Sequence, residues 1–288
     1  MSSALLQCGG RLLDLSYPQI MGVLNVTPDS FSDGGALHEQ GWLSLDKALV
    51  HTEHMLEEGA AIVDVGGEST RPGAEPVSLQ EEMDRVLPVV EAINSRFETI
   101  ISVDTSRPEL MLAAAEIGAG LLNDVRALEC PGALTAAVQT GLPVCLVHMQ
   151  GRPETMQHAP SYQQVIIEVG DYLLDRAKHC IAAGIDQSKI LLDPGFGFGK
   201  RVEHNLALLN RLPAMLKLGF PVLVGLSRKS LIGRVLECEL DQRLVGSLAL
   251  AVLAADRGAS IIRAHDVAQT VDAVKLCIAV KREQLSSR

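Results

Sequence analysis

The segment Glu58-Gly59-Ala60-Ala61-Ile62-Val63-Asp64-Val65-Gly66-Gly67-Glu68 holds a helix end, a buried strand and a polar loop. Gly59 suits the left-handed position that closes a helix, where a Cβ is strained. The run 61–65 is apolar and β-branched but for Asp64, as befits a strand covered on both faces. The same unit recurs along the chain. Gly118, Gly141, Gly184, Gly219 and Gly258 each precede a short apolar run, at 121–123, 144–147, 190–193, 222–224 and 261–263. Two more runs, 20–26 and 99–104, bring the set to eight candidate strands. Amphipathic stretches separate them, at 43–58, 79–96, 109–117, 133–140, 163–183, 205–218, 243–256 and 267–281. Pro108 suits a first helical turn, and Pro88 predicts a kink in the second helix.

Eight strand–helix pairs in 288 residues predict an α/β fold, a TIM (β/α)8 barrel. A doubly wound open sheet is the alternative. Residues 4–16, with Gly9-Gly10 between two apolar runs, predict a β-hairpin that plugs the barrel bottom, an N-terminal element over 1–18. No linker or composition break divides the chain, so 1–288 reads as one domain.

Composition narrows the function. Hydrophobic residues make up 47% and charged residues 21%, enough for a large core. Acidic residues outnumber basic ones by 35 to 25, a net charge of −10, which argues against nucleic-acid binding. Aromatics at 3% leave little for base stacking. Six scattered cysteines, none in a C-x-x-C pair, point to a reduced, cytoplasmic setting. The longest apolar stretch, 244–255 between Arg243 and Asp256, is short of the ~20 residues a membrane span needs. No basic region precedes an apolar core at the N-terminus, so no secretory signal is expected.

In such a barrel the chemistry lies on the loops after the strands, and here every strand end is polar. Any one of these groups could be a helix cap. Eight on one mouth would bury polar groups that cost free energy unless partnered. Two constellations stand out. Asp104, Asn123, Asp193 and Lys229 offer carboxylates, an amide and an ammonium, suited to a flat heterocycle with several N–H donors and a carbonyl. Arg263 and His265 with Asn25 suit phosphate oxygens and a hard cation. Other motifs fail. Gly195, Gly197, Gly199 and Lys200 resemble a phosphate-binding loop, but Pro194 precedes them and Arg201 replaces the required Ser/Thr. Those glycines read as a mobile loop that approaches a ligand closely. His51 and His54 read as a solvent-facing pair, and His148 as a satisfied strand-end histidine rather than a site-orienting one.

The runs 21–35, 64–73, 193–200, 227–230 and 262–266 together resemble the motifs of dihydropteroate synthases, in order and over nearly the whole chain. The resemblance implies condensation of 6-hydroxymethyl-7,8-dihydropterin diphosphate with 4-aminobenzoate, Mg2+ as cofactor, and sulfonamide competition. It implies that Asp104, Asn123, Asp193 and Lys229 hold the pterin, and that Asn25, Arg263 and His265 hold diphosphate, with Asn25 on Mg2+. Phe31, Asp33, Thr70 and Arg71 would order over the site as a lid, and Pro72, Phe198, Lys229 and Ser230 would form the aminobenzoate pocket. The catalytic set so implied is Asp104, Lys229, Arg263 and His265.

The resemblance also implies a dissociative, cation-like path, and the residue types fit it. No strong nucleophile or base is needed, only stabilisation of the leaving anion and carboxylates near the developing cation. Two rivals remain: a folate-dependent methyltransferase of the same superfamily, which has no use for the anion corner, and a non-catalytic pterin-binding paralogue, which would lack some of Asn25, Arg71, Lys229 or Arg263. The helix at 243–256 is apolar nearly all round; with the family analogy this predicts a homodimer, the alternative being burial within one chain.

Overall fold

The computed structural model describes residues 5–27, 38–39, 42–69, 77–151, 155–157 and 159–283. Its centre is a parallel sheet of eight strands. They are β1 Gln19–Asn25, β2 Ile62–Gly66, β3 Ile100–Asp104, β4 Leu121–Asp124, β5 Val144–Val147, β6 Ile190–Asp193, β7 Leu223–Gly225 and β8 Ile261–Ala264. Their order is β6-β5-β4-β3-β2-β1-β8-β7. A parallel bridge from Leu192 to Val222 brings the two ends together, so the sheet closes into the expected barrel rather than the open alternative. All six helix-closing glycines of the repeated unit adopt positive φ, from +65° at Gly141 to +112° at Gly118.

Ten helices surround the sheet among the described residues: α1 Leu45–Glu57, α2 Leu79–Arg96, α3 Pro108–Glu116, α4 Ala133–Thr140, α5 Val165–Ala183, α6 Val202–Asn210, α7 Leu212–Leu216, α8 Ser230–Leu236, α9 Leu244–Asp256 and α10 Val267–Arg282. Two departures from the sequence reading have plain causes. The single helix expected at 205–218 is two, α6 and α7, meeting at Arg211. Pro213 has no N–H for the Leu209 carbonyl, so one continuous helix loses a bond there. The extra helix α8 was not expected because it is short and follows directly on the polar end of β7. Helix α2, capped by the Ser78 hydroxyl on the Glu81 N–H, runs unbroken through Pro88.

The core has two layers. One residue from each strand points into the barrel near its bottom: Met21, Ile62, Ile100, Leu121, Cys145, Leu191, Leu223 and Ile261. The N-terminal hairpin, Leu5–Cys8 paired with Arg11–Asp14, adds Leu6, Cys8 and Leu13 to this floor. The expected plug is therefore present. Each leucine buried in it contributes about 2 kcal/mol. The second, larger layer lies between the sheet and the helices and includes Val63, Val65, Ile101, Val103, Leu122 and Leu192. Among the described residues no helix is long and apolar enough to cross a membrane.

Candidate active site

Side chains alternate along a strand, so the floor residues fix what lies above them. Two residues beyond Ile62 comes Asp64, beyond Ile100 Ser102 and then Asp104, beyond Leu121 Asn123, beyond Leu191 Asp193, and beyond Ile261 Arg263. The apolar bottom is thus capped by a polar layer on the same inward face. Register aligns its rim: Asn25 pairs with Gly66, Gly66 with Asp104, and Asp104 with Asn123. Asn123 and Asp193 are buried, while Asp104, Lys229, Arg263 and His265 are half-buried at the mouth.

Arg263 ties the layer together. Its Nε donates to Asp64 Oδ2 at 2.6 Å, and its Nη2 to Asp104 Oδ2 at 3.3 Å. Asn123 Nδ2 also points at Asp64 Oδ2, at 3.4 Å. The two constellations that the sequence reading kept apart therefore share one guanidinium. Asp64, fully buried, was not among the expected site residues. Its place in mid-strand, two residues from an inward isoleucine, was the available signal.

Burial, with the Asp64 carboxylate next in weight, pushes the Asp104 carboxyl up to about 8, against the pull of Arg263. Burial also raises Asp193, although Lys229 and the Gly195 N–H (2.7 Å) favour its charged form. Burial lowers Lys229 to about 8, opposed by Asp193. A carboxyl whose pKa is raised on folding holds a proton that the unfolded chain has lost, so ionising Asp104 costs stability progressively between pH 4 and pH 8. Asp104→Asn should therefore raise the thermal midpoint of the ligand-free protein by a few degrees. The gain should grow from pH 4 to pH 8 and level off above. Scanning calorimetry across that range checks it; a gain that does not vary with pH would contradict the raised carboxyl.

Lys229 is held from two sides. Its Nζ donates to the Phe196 carbonyl, and the Phe198 ring centroid lies 4.4 Å from the same nitrogen. The residue before it, Arg228, has φ +57°. Three partners fix that strained backbone: the Ser247 hydroxyl accepts from the Arg228 N–H at 2.9 Å, Arg243 donates to its carbonyl at 3.0 Å, and its guanidinium grips Asp266 with two nitrogens. His265 Nδ1 lies 3.0 Å from the Ser227 hydroxyl, joining the ends of β7 and β8. Ser230, first in α8, is exposed beside Lys229. Phe31, Asp33, Thr70, Arg71 and Pro72 lie outside the described residues.

The glycine loop after β6 is laced to the protein by hydrogen bonds and close backbone approaches. A Cβ on Gly195 would sit 1.8 Å from the His148 carbonyl oxygen, and one on Gly199 2.3 Å from that of Gln150. The close approach is to the β5 loop. Tyr162 Oη donates to the Gly199 carbonyl at 2.9 Å, and Gln157 Nε2 to that of Gly197 at 2.6 Å. His148 is satisfied, as expected: its N–H donates to the Asp193 carbonyl at 2.9 Å, and its Nδ1 is 2.8 Å from Lys200 Nζ. Burial and the Lys200 charge lower its ring to about 3. In helix α1, His51 is half-buried and His54 exposed.

A metal finds hard oxygens here, the Asn25 amide and the Asp104 carboxyl. Gly66 leaves a gap where a Cβ would lie 3.8 Å from Asn25 Oδ1 and 3.6 Å from Asp104 Cβ. No group of three or more His, Cys, Asp or Glu side chains that could hold a metal occurs among the described residues. An amide oxygen and one carboxyl side by side fit a cation held mostly by a substrate's phosphates and water, as Mg2+ commonly is.

A family model described as pterin binding enzyme matches residues 21–265. The dihydropteroate synthase of Escherichia coli is 56% identical over 267 residues, 93% of each chain, and that of Haemophilus influenzae 54% identical over 94% of this chain and 97% of its own. A Yersinia pestis dihydropteroate synthase solved with a sulfonamide drug superposes with a TM-score of 0.93 at 52% identity, covering 96% of this chain and 99% of that one. The Xanthomonas albilineans enzyme solved with 4-aminobenzoic acid gives 0.89 at 48% identity, over 97% and 98%. By these matches over nearly its whole length, the chain belongs to the dihydropteroate synthase family of pterin-binding enzymes.

Proposed function

We infer that the chain condenses 6-hydroxymethyl-7,8-dihydropterin diphosphate with 4-aminobenzoate to give 7,8-dihydropteroate and diphosphate, a transferase step of folate synthesis. The observation that carries this is Arg263 standing against Asp64 and Asp104 at the edge of the carboxylate-lined pocket. It sets an anion-binding cation beside groups able to hold a pterin. A folate-dependent methyltransferase has no use for that cation.

Asp104, Asn123 and Asp193 bind the ring's donors, and Lys229 its carbonyl side. Arg263, His265 and Asn25 receive the diphosphate. The exocyclic carbon–oxygen bond breaks, diphosphate leaves with the electron pair, and the ring spreads the positive charge. Asp104 and Asp193 face that charge. The amine nitrogen then forms the new bond and loses a proton. Mg2+ at Asn25 would neutralise charge on the leaving diphosphate. Phe31, Asp33, Thr70, Arg71, Pro72, Phe198 and Ser230 keep the lid and aminobenzoate roles that the motif resemblance gives them. Steady-state release of diphosphate that rises with 4-aminobenzoate and matches dihydropteroate formed tests the reading; turnover unaffected by the amine, or methyl transfer from a folate, would overturn it.

A homodimer through α9 and α10 completes the proposal. Val245 and Leu253 on α9, and Leu276 and Val280 on α10, are 73%, 40%, 68% and 71% exposed. Exposed apolar side chains grouped on two packed helices mark an interaction surface. Sedimentation should give a dimer, and Val245→Glu with Val280→Glu a monomer; a monomeric parent chain would reject the interface. A reducing, cytoplasmic setting suits the six free cysteines.

A further inference from the structure

Among the described residues, Lys200 is the one Lys or Arg with less than a tenth of its surface exposed, at 3%. Its Nζ has four acceptors in reach: His148 Nδ1 at 2.8 Å, the Gly195 carbonyl at 2.9 Å, the Phe198 carbonyl at 3.0 Å and the His148 carbonyl at 3.3 Å. None is a carboxylate; Asp193 attracts the group from further off, and burial outweighs that attraction and holds Lys200 well below the usual lysine range. What this nitrogen offers is more than one donor at a single point. Two of its acceptors belong to the glycine loop after β6, and two to the end of β5.

The tied carbonyls bracket the contacts of Lys229. Between Gly195 and Phe198 lies Phe196, whose carbonyl receives Lys229 Nζ, and Phe198 itself places its ring on that nitrogen. Asp104, Asn123 and Asp193, by contrast, are strand residues set by the barrel register. The loop reaches these strand residues at Asp193, whose Oδ1 accepts from the Gly195 N–H at 2.7 Å.

We propose that Lys200 is a positioning residue for the aminobenzoate side of the site: by tying the Gly195 and Phe198 carbonyls to His148, it sets the Phe196 carbonyl and the Phe198 ring against Lys229. This rests on the proposed reaction, and on Phe198 and Lys229 lining the aminobenzoate pocket.

The test compares the parent chain with Lys200→Met in the diphosphate-release assay, varying each substrate. The KM for 4-aminobenzoate should rise about tenfold, the effect of losing hydrogen bonds to a charged group. The KM for the pterin diphosphate should rise less, by at most about threefold, because Asp104, Asn123 and Arg263, which stay on their strands, hold that substrate together with Lys229. A merely structural role would lower the folded fraction, reducing kcat with both KM values unchanged. That result, no change at all, or an equal rise of both would overturn the proposal.

A cycle with Phe198→Ala adds a second readout. If Lys200 acts through the loop, Lys200→Met in that background should move the aminobenzoate KM by less than about twofold, and a full tenfold shift there would also overturn it. Should Lys200→Met not fold, Tyr162→Phe removes only the hydroxyl that donates to the Gly199 carbonyl. It should raise the same KM about twofold to threefold; an unchanged KM would count against the proposal. Absence of aminobenzoate-dependent release by the parent chain would instead reject the reaction itself.

Discussion

Arg263→Met should lower kcat/KM by about three orders of magnitude and lower the thermal midpoint by roughly 5–10 °C. The two losses have separate origins. For catalysis, the variant lacks the cation that receives the leaving diphosphate. For stability, it abandons Asp64, which is fully buried and whose Oδ1 already has no hydrogen-bond partner within the protein. Removing one member of a buried pair costs about 3–5 kcal/mol, because the other charge is left without a partner. The lower end applies here, since the Arg263 side chain is 23% exposed and water reaches part of it. The double variant Arg263→Met with Asp64→Asn separates the effects. It should recover most of the thermal midpoint and none of the activity. Recovery of activity in the double variant would mean that Arg263 serves only to neutralise Asp64. Arg263→Lys should fall between, as a point charge cannot reach Asp64 and Asp104 together as the planar fork does.

Gly195→Ala should reduce kcat/KM at least about a hundredfold or prevent folding. The residue has φ +67°, and the added methyl would lie 1.8 Å from the His148 carbonyl oxygen, an atom that cannot rotate away. His148 donates its N–H to the Asp193 carbonyl at 2.9 Å, so displacing it moves the ends of β5 and β6 together. Asp193 and the contacts of Lys229 follow. Gly141→Ala is the control: φ is similar at +65°, but nothing lies within 4 Å of the new methyl. It should cost about 1 kcal/mol through backbone strain alone and leave kcat/KM unchanged. Wild-type turnover by Gly195→Ala would show that the loop adjusts without consequence.

Much of this was legible beforehand. Helix-closing glycines followed by apolar runs are local signals, and each strand falls within two residues of its expected place. Asp104, Asn123, Asp193, Lys229 and Arg263 were legible because they lie at or just beyond the ends of strands that must converge on one mouth. Asp64 carries a weaker signal because it lies in mid-strand, where only counting by twos from Ile62 turns it inward. Lys200 was legible only as a failed phosphate loop. Its partners are main-chain carbonyls and an imidazole gathered from two loops, and carbonyls carry no sequence signal. The short helix α8 and the break at Pro213 depend on packing around single turns, where propensity is weakest.

The hairpin beneath the barrel has a chemical consequence. Cys8, which it contributes, and Cys145, which it covers, lie in the apolar floor. Burial pushes the Cys8 thiol up to about 12, and Cys145 well above its ordinary value. Oxidants and alkylating reagents attack the thiolate, which neither residue supplies at neutral pH. Half-exposed Cys130 and Cys238 lie outside the floor, so oxidative damage should begin there, and a singly modified chain should keep its seal, its polar layer and its turnover.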